Sequence, residues 1–155
     1  MNATIAVRRG ERADRDFVRD LGRRSATSSI SAVRAARYDD VIEAFERLAD
    51  FVYGRRHELL IAEHDGARAG FLLLLYDIPD EVTMAPQAFI AYMAVEPALR
   101  KLGVGRALLD AAEAYGRAAG LPHLSLMVTA ENVPARALYD GAGYVAERLM
   151  LTKPL

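Results

Sequence analysis

The run Arg100-Lys101-Leu102-Gly103-Val104-Gly105-Arg106 follows an apolar stretch and a proline, and brings together three cations and two glycines. The first turn of a helix has N–H groups without intrahelical partners and a partial positive charge. A helix opening at Val104 therefore presents an anion site at its head. Glycine at 103 and 105 lets the backbone approach a diphosphate with no Cβ in the way. The amides of Leu102, Gly103, Val104, Gly105 and Arg106, with charge from Arg100, Lys101 and Arg106, are thus candidate phosphate ligands. A tight left-handed turn with solvated cations would use the same residues, and a lone Gly-x-Gly does not separate the two readings. Two other phosphate loops are excluded. Leu108 stands where a dinucleotide fingerprint needs glycine or alanine, and no Gly-Lys-Ser/Thr tripeptide exists for a nucleotide-triphosphate loop.

Other side chains narrow the chemistry. The chain has no cysteine, so disulfides and thiolate catalysis are ruled out. His57, His64 and His123 have no metal-ligand spacing, and no metal is expected. Asn132, just before Val133-Pro134, is placed to cap a helix. Tyr139 beside Leu138 reads by itself as a core residue with its hydroxyl at the edge. The formal net charge is −1, so no global field favours nucleic acid or an anionic membrane. The opening residues turn charged too soon for a signal peptide, and no apolar run approaches transmembrane length. A cytoplasmic location is the expectation.

The elements that must position these residues alternate. A first strand is expected over "ATIAVRR", with helices from about Glu11 to Arg24 and from Tyr38 to Tyr53. "ELLIAEHDGARAGFLLLLY" reads as a hairpin turning at Asp65-Gly66, and "AFIAYMAV" as a further strand. Val104 to Ala119 is a helix whose Val104, Leu108, Ala111 and Tyr115 share a face, with Glu113 and Arg117 as an i,i+4 pair. "HLSLMV" is a strand, "NVPARALYDGAG" a short helix and "YVAERLMLTKPL" a closing strand. An early hairpin followed by strands joined through helices implies a mixed sheet covered by helices. At 155 residues, 52 % of them hydrophobic, the chain is one domain over 1–155 with material for a full core.

The strand "AYMAV", then Pro97, then R-x-x-G-x-G from Arg100 to Gly105, resembles the acyl-CoA motif of the GNAT superfamily of N-acetyltransferases. Asn132, "ARALY" ending at Tyr139, and "GAGY" resemble the second half of that superfamily's pattern. The similarity runs from about Glu58 onward; the first fifty residues match only in the order of elements. It implies an α/β (α+β) domain with a mixed, mostly antiparallel central sheet of about six to seven strands and helices on both faces. It implies acetyl-CoA as cosubstrate and an amine acceptor, a small molecule or a peptide or protein, with a homodimer left open. Met93, Ala94 and Val95 join the cofactor-binding candidates. The backbone of Met93 and Val95 would meet the pantetheine arm, and the amides from Leu102 to Arg106 the pyrophosphate. Asn132 would bond the arm or cap its helix. Tyr139 would protonate the departing thiolate, and a backbone amide of the fourth strand would stabilise the oxyanion.

One position departs from the resemblance. Ala91 stands where many relatives have a glutamate that works as a base through water. Glu63, Asp77 and Tyr92 are substitutes by proximity only, and the base is unassigned. Asp39, Asp40, Asp77, Asp80 and Glu81 are acids on the expected acceptor side. The alternative reading is a non-catalytic acyl-CoA-binding module of the same fold.

Overall fold

The computed structural model describes residues 2–155. Its sheet has five strands, β1 (Ile5–Arg9), β2 (His57–His64), β3 (Ala67–Leu75), β4 (Ala88–Val95) and β5 (Leu124–Leu126), in that spatial order. All neighbours are antiparallel except β4 and β5, which are parallel. The helices are α1 (Arg15–Ser25), α2 (Tyr38–Tyr53), α3 (Val104–Ala118) and α4 (Val133–Gly141). The mixed, mostly antiparallel sheet is as expected, but with five strands rather than six or seven. "HLSLMV" forms a ladder only over Leu124–Leu126, and 144–155 pairs with no strand among the described residues.

The apolar run of β3 explains the layering. A strand alternates its side chains, so Phe71, Leu73 and Leu75 face α1 and α2, where they meet Val18, Leu21, Phe45 and Val52. Leu72 and Leu74 face α3, against Val104, Leu108, Leu109 and Ala112. Both faces are covered, so no residue from Gly70 to Leu75 needs to be polar. The β2–β3 turn is as expected: Asp65 and Gly66 both have positive φ, 51° and 81°, as a two-residue hairpin turn requires.

The helices sit close where glycine allows it. A Cβ on Gly22 of α1 would lie 1.8 Å from Cζ of Phe45 on α2, so only glycine permits this contact. The buried face of α3 is Val104, Leu108, Leu109, Ala112 and Gly116. Ala111 and Tyr115, expected on that face, pack partly buried against the same core. The Glu113–Arg117 pair forms at 2.5 Å. No helix among the described residues is long and apolar enough to cross a membrane.

Candidate active site

β4 parts from β5 halfway along its length. The parallel ladder joins only Ala88–Ile90 to Leu124–Leu126, so Ala91 to Val95 have no strand on that side. On the other side β4 stays paired to β3, with a bulge at Ala91, since Leu73 faces Tyr92 and Leu74 faces Ile90. Backbone direction then follows from alternation. Glu96 donates its N–H to the Ala69 carbonyl of β3 at 2.8 Å, so residues 94 and 92 also point toward β3. The N–H and C=O groups of Met93 and Val95 point to the open side. An extended ligand can add there as a strand would.

The chain leaves β4 under restraint. Glu96 accepts two hydrogen bonds from Arg24 of α1, at 2.8 and 3.1 Å, and Arg24 also holds Asp20. These carboxylates raise the Arg24 pKa. A short turn over Pro97–Leu99 follows, then Lys101 and Gly103 adopt left-handed φ of 62° and 93°. Gly103 is the residue before α3, and its carbonyl accepts the first helical bond, from Ala107 at 3.0 Å. The amides from Lys101 to Arg106 have no hydrogen-bond partner among the described residues. Successive free N–H groups around left-handed residues form a concave anion site at the positive end of a helix.

The cations there do not behave alike. Arg100 and Lys101 are exposed and make no ion pair among the described residues. Arg106 is already committed: its Nε donates to Asp110 at 2.9 Å and its guanidinium to the Gly141 carbonyl at 3.1 Å. Its side chain faces those partners here, while its amide has no hydrogen-bond partner among the described residues. Gly105 also has a packing role. A Cβ there would meet Leu138 Cδ2 of α4 at 3.0 Å.

Asn132 caps α4, its Oδ1 accepting from the Ala135 amide at 3.3 Å. Of the two roles left open for it, capping is observed, and its Nδ2 keeps its donors. Tyr139 packs on the α3 side of the sheet with Met93, Val95 and Leu138, its ring 5.7 Å from that of Tyr144. Burial alone raises its pKa, with no hydrogen bond to the hydroxyl among the described residues. The phenol is therefore neutral at physiological pH and has a proton to donate.

No base emerges beside Ala91. Glu63 accepts from Arg8 at 2.7 Å at the opposite edge of the sheet, and Asp77 is paired with Arg55 at 3.2 Å. Tyr92 lies between Phe71 and Phe45, with its hydroxyl 2.9 Å from Ser25 Oγ and its pKa raised by burial. Asp80 is held by Thr83 and Arg148, which lower its pKa. No cluster of three or more histidine or carboxylate side chains among the described residues is placed to hold a metal ion. The Arg24–Glu96 clamp and the Leu138–Gly105 contact escaped the sequence reading, because neither has a local signature.

The sequence model of the acetyltransferase (GNAT) family matches residues 25–144, and the chain belongs to that family. An acetyl transferase structure from Pyrococcus furiosus superposes with TM-score 0.82 at 25 % identity, over 98 % of this chain and 100 % of that one. Aminoglycoside N-acetyltransferase AAC(6')-Iy, solved in complex with CoA, shares the fold with TM-score 0.71 at 18 % identity, over 99 % and 97 % of the two chains. The mycothiol acetyltransferase of Beutenbergia cavernae is 35 % identical over 86 residues, 56 % of this chain. The chain spans only 28 % of that relative's length.

Proposed function

We propose that the protein is a cytoplasmic N-acetyltransferase that moves an acetyl group from acetyl-CoA to a primary amine by direct attack. The observation that carries this reading is the continuity of three features on the α3 side of the sheet. Unpartnered amides from Lys101 to Arg106 adjoin the free edge of β4, and Tyr139 stands over the same face. The amides, with Arg100 and Lys101, suit a pyrophosphate; the edge at Met93 and Val95, with Ala94 between them, suits an amide-bearing arm; the Asn132 Nδ2 donors suit the arm's carbonyls.

Acetyl-CoA supplies an activated acyl carbonyl. The protein's own contributions are positional and electrostatic. An N–H on the open side of β4 aims at the carbonyl oxygen, where negative charge develops as the neutral amine nitrogen bonds to the carbon. The carbon–sulfur bond breaks, and the Tyr139 hydroxyl gives its proton to the departing sulfur. With alanine at 91 and Tyr92 buried against Ser25, the amine reacts in its neutral form and gives up one of its two N–H protons to water, and the Tyr139 phenolate regains a proton from water. The relatives named for aminoglycoside and mycothiol favour a small-molecule amine over a protein terminus.

The test measures CoA release from acetyl-CoA against a panel of small amines and peptides, alongside CoA binding by calorimetry. Turnover with at least one amine is expected. Tight CoA binding without turnover on any amine would assign the chain to the non-catalytic reading, and absence of binding would refute both.

A further inference from the structure

Glu96 is the only carboxylate in the chain between Glu81 and Asp110, and it stands at the entry to the loop whose free amides suit an anion. By charge alone, a glutamate there opposes a diphosphate. Its carboxylate is taken up by Arg24 of α1, which donates to it at 2.8 and 3.1 Å. Asp20, one turn back on α1, holds the same guanidinium at 2.9 and 3.0 Å. No other side chain from 96 to 103 makes a hydrogen bond or ion pair among the described residues. Of residues 97–103, only Leu99 packs against the core; the others are exposed. The loop is therefore tied to the body of the fold at its entry, by the Glu96 amide on the Ala69 carbonyl and by the Arg24 clamp.

The next residue of α1 makes a second tie. Ser25 Oγ lies 2.9 Å from the Tyr92 hydroxyl. Strand alternation carries residues 92, 94 and 96 to the α1 side, where Tyr92 and Ala94 join the core. Two consecutive residues of α1 thus hold the chain at Tyr92 and Glu96 and bracket Met93, Ala94 and Val95. That bracketed stretch is the one without a neighbour on the β5 side. A strand paired on one side only, with a bulge at its root, has a loosely fixed course; the two ties from α1 fix it. We infer that Arg24 and Glu96 are a positioning pair for the cofactor. Together they set the end of β4 and the entry of the 100–106 loop, so that the arm and the pyrophosphate meet groups already aligned. Alignment before binding lowers the ordering cost of binding. The inference rests on the acetyl-CoA reading above.

Charge and positioning give opposite signs for one variant. Glu96→Gln deletes a negative charge beside the anion loop, so an electrostatic role alone makes CoA bind more tightly. Loss of the clamp makes CoA bind about tenfold more weakly, the lower end for a charge-assisted hydrogen bond. Arg24→Gln should weaken binding further, because it also leaves the carboxylate unpaired, and adding Glu96→Gln should recover that excess. Asp20→Asn keeps both Arg24–Glu96 bonds and should stay within about threefold of wild type. Calorimetric titration with CoA reads all four variants, and the partly exposed pair should leave their melting temperatures nearly unchanged. Under turnover, Glu96→Gln should raise the KM for acetyl-CoA while kcat and the amine KM hardly move. Without ligand, the amides of residues 96 and 99 should exchange faster in Arg24→Gln than in wild type. Unchanged or tighter CoA binding in Glu96→Gln overturns the inference and leaves the cofactor reading standing, and so does unchanged exchange in Arg24→Gln. No CoA binding by the wild type refutes the cofactor reading, and the inference with it.

Discussion

Tyr139 separates the proposed chemistry from mere packing, because its hydroxyl has no partner among the described residues while its ring does. Tyr139→Phe keeps the ring, so acetyl-CoA affinity and the melting temperature should hardly change. Loss of a general acid should lower kcat by roughly 10²–10⁴-fold. The pH profile adds a signed expectation. Burial raises the phenol pKa above the usual tyrosine value of about 10, so the acid stays protonated throughout the physiological range. With no enzyme base to titrate, kcat/KM should climb with pH along the ionisation of the amine substrate itself. A limb near pH 6 to 7 that is unrelated to the amine would contradict this. A second contrast lies among the cations. Arg100→Glu with Lys101→Glu reverses two unpartnered charges beside the free amides and should weaken CoA binding by about a hundredfold. Hydrogen bonds to charged groups contribute about 1.5–3 kcal/mol, and 1.4 kcal/mol is tenfold. Arg106→Ala should leave CoA affinity within a few fold, since that guanidinium is held by Asp110 and Gly141. Calorimetric titration of both variants measures the difference. Sequence spacing brought Arg106 to the loop but could not orient it, because its partner Gly141 is distant in the chain.

Among the elements, β1, β3 and the turn before α1 are joined by a buried carboxylate. Asp14 is 1 % exposed and accepts from Arg8 at 2.8 and 3.0 Å, from Arg68 at 2.7 Å and from the Glu11 amide at 2.8 Å. Arg8, chiefly, holds its pKa well below the usual aspartate range, against the opposing effect of burial. A depressed folded-state pKa gives stability that is complete above the ordinary value of about 3.9 and is lost as pH falls below it. Asp14→Asn should cost about 3 kcal/mol, the low end for breaking a buried ion pair because both arginines can rehydrate. It should also flatten the stability loss between about pH 4 and pH 2, as denaturant melts would record. The elements themselves were largely legible: the β2–β3 hairpin from Asp65-Gly66, the β3 run, and α4 from Asn132 and Pro134. The illegible parts were those decided by distant contacts. "HLSLMV" keeps only three paired residues because β4 bends away at the Ala91 bulge, and a bulge between two apolar residues leaves no mark on an alternating pattern. "YVAERLMLTKPL" has strand composition, yet pairing needs an edge facing it, and the edge is a property of the fold.

At the scale of the whole molecule, the candidate site joins parts that the chain brings together only on folding. The open edge belongs to β4, the free amides to the head of α3, the cap and the phenol to α4, and the clamp on Glu96 to α1. An unfolded chain presents none of this in register, so acetyl-CoA or CoA should bind the native state alone. The stabilisation is then RT ln(1 + [L]/Kd), about 2.7 kcal/mol at a hundredfold excess over Kd. A domain of 155 residues shifts its melting temperature by roughly 2–4 °C per kcal/mol, so a rise of about 5–10 °C is expected. Desulfo-CoA, which keeps the pyrophosphate and most of the arm, should reproduce nearly all of the rise. Inorganic phosphate should reproduce little of it, since it meets the α3 amides but not β4. A calorimetric melt with each ligand distinguishes the two contributions: a rise with phosphate equal to that with CoA would confine binding to the helix head and remove β4 from the site, and no rise with CoA at millimolar concentration would refute the cofactor assignment.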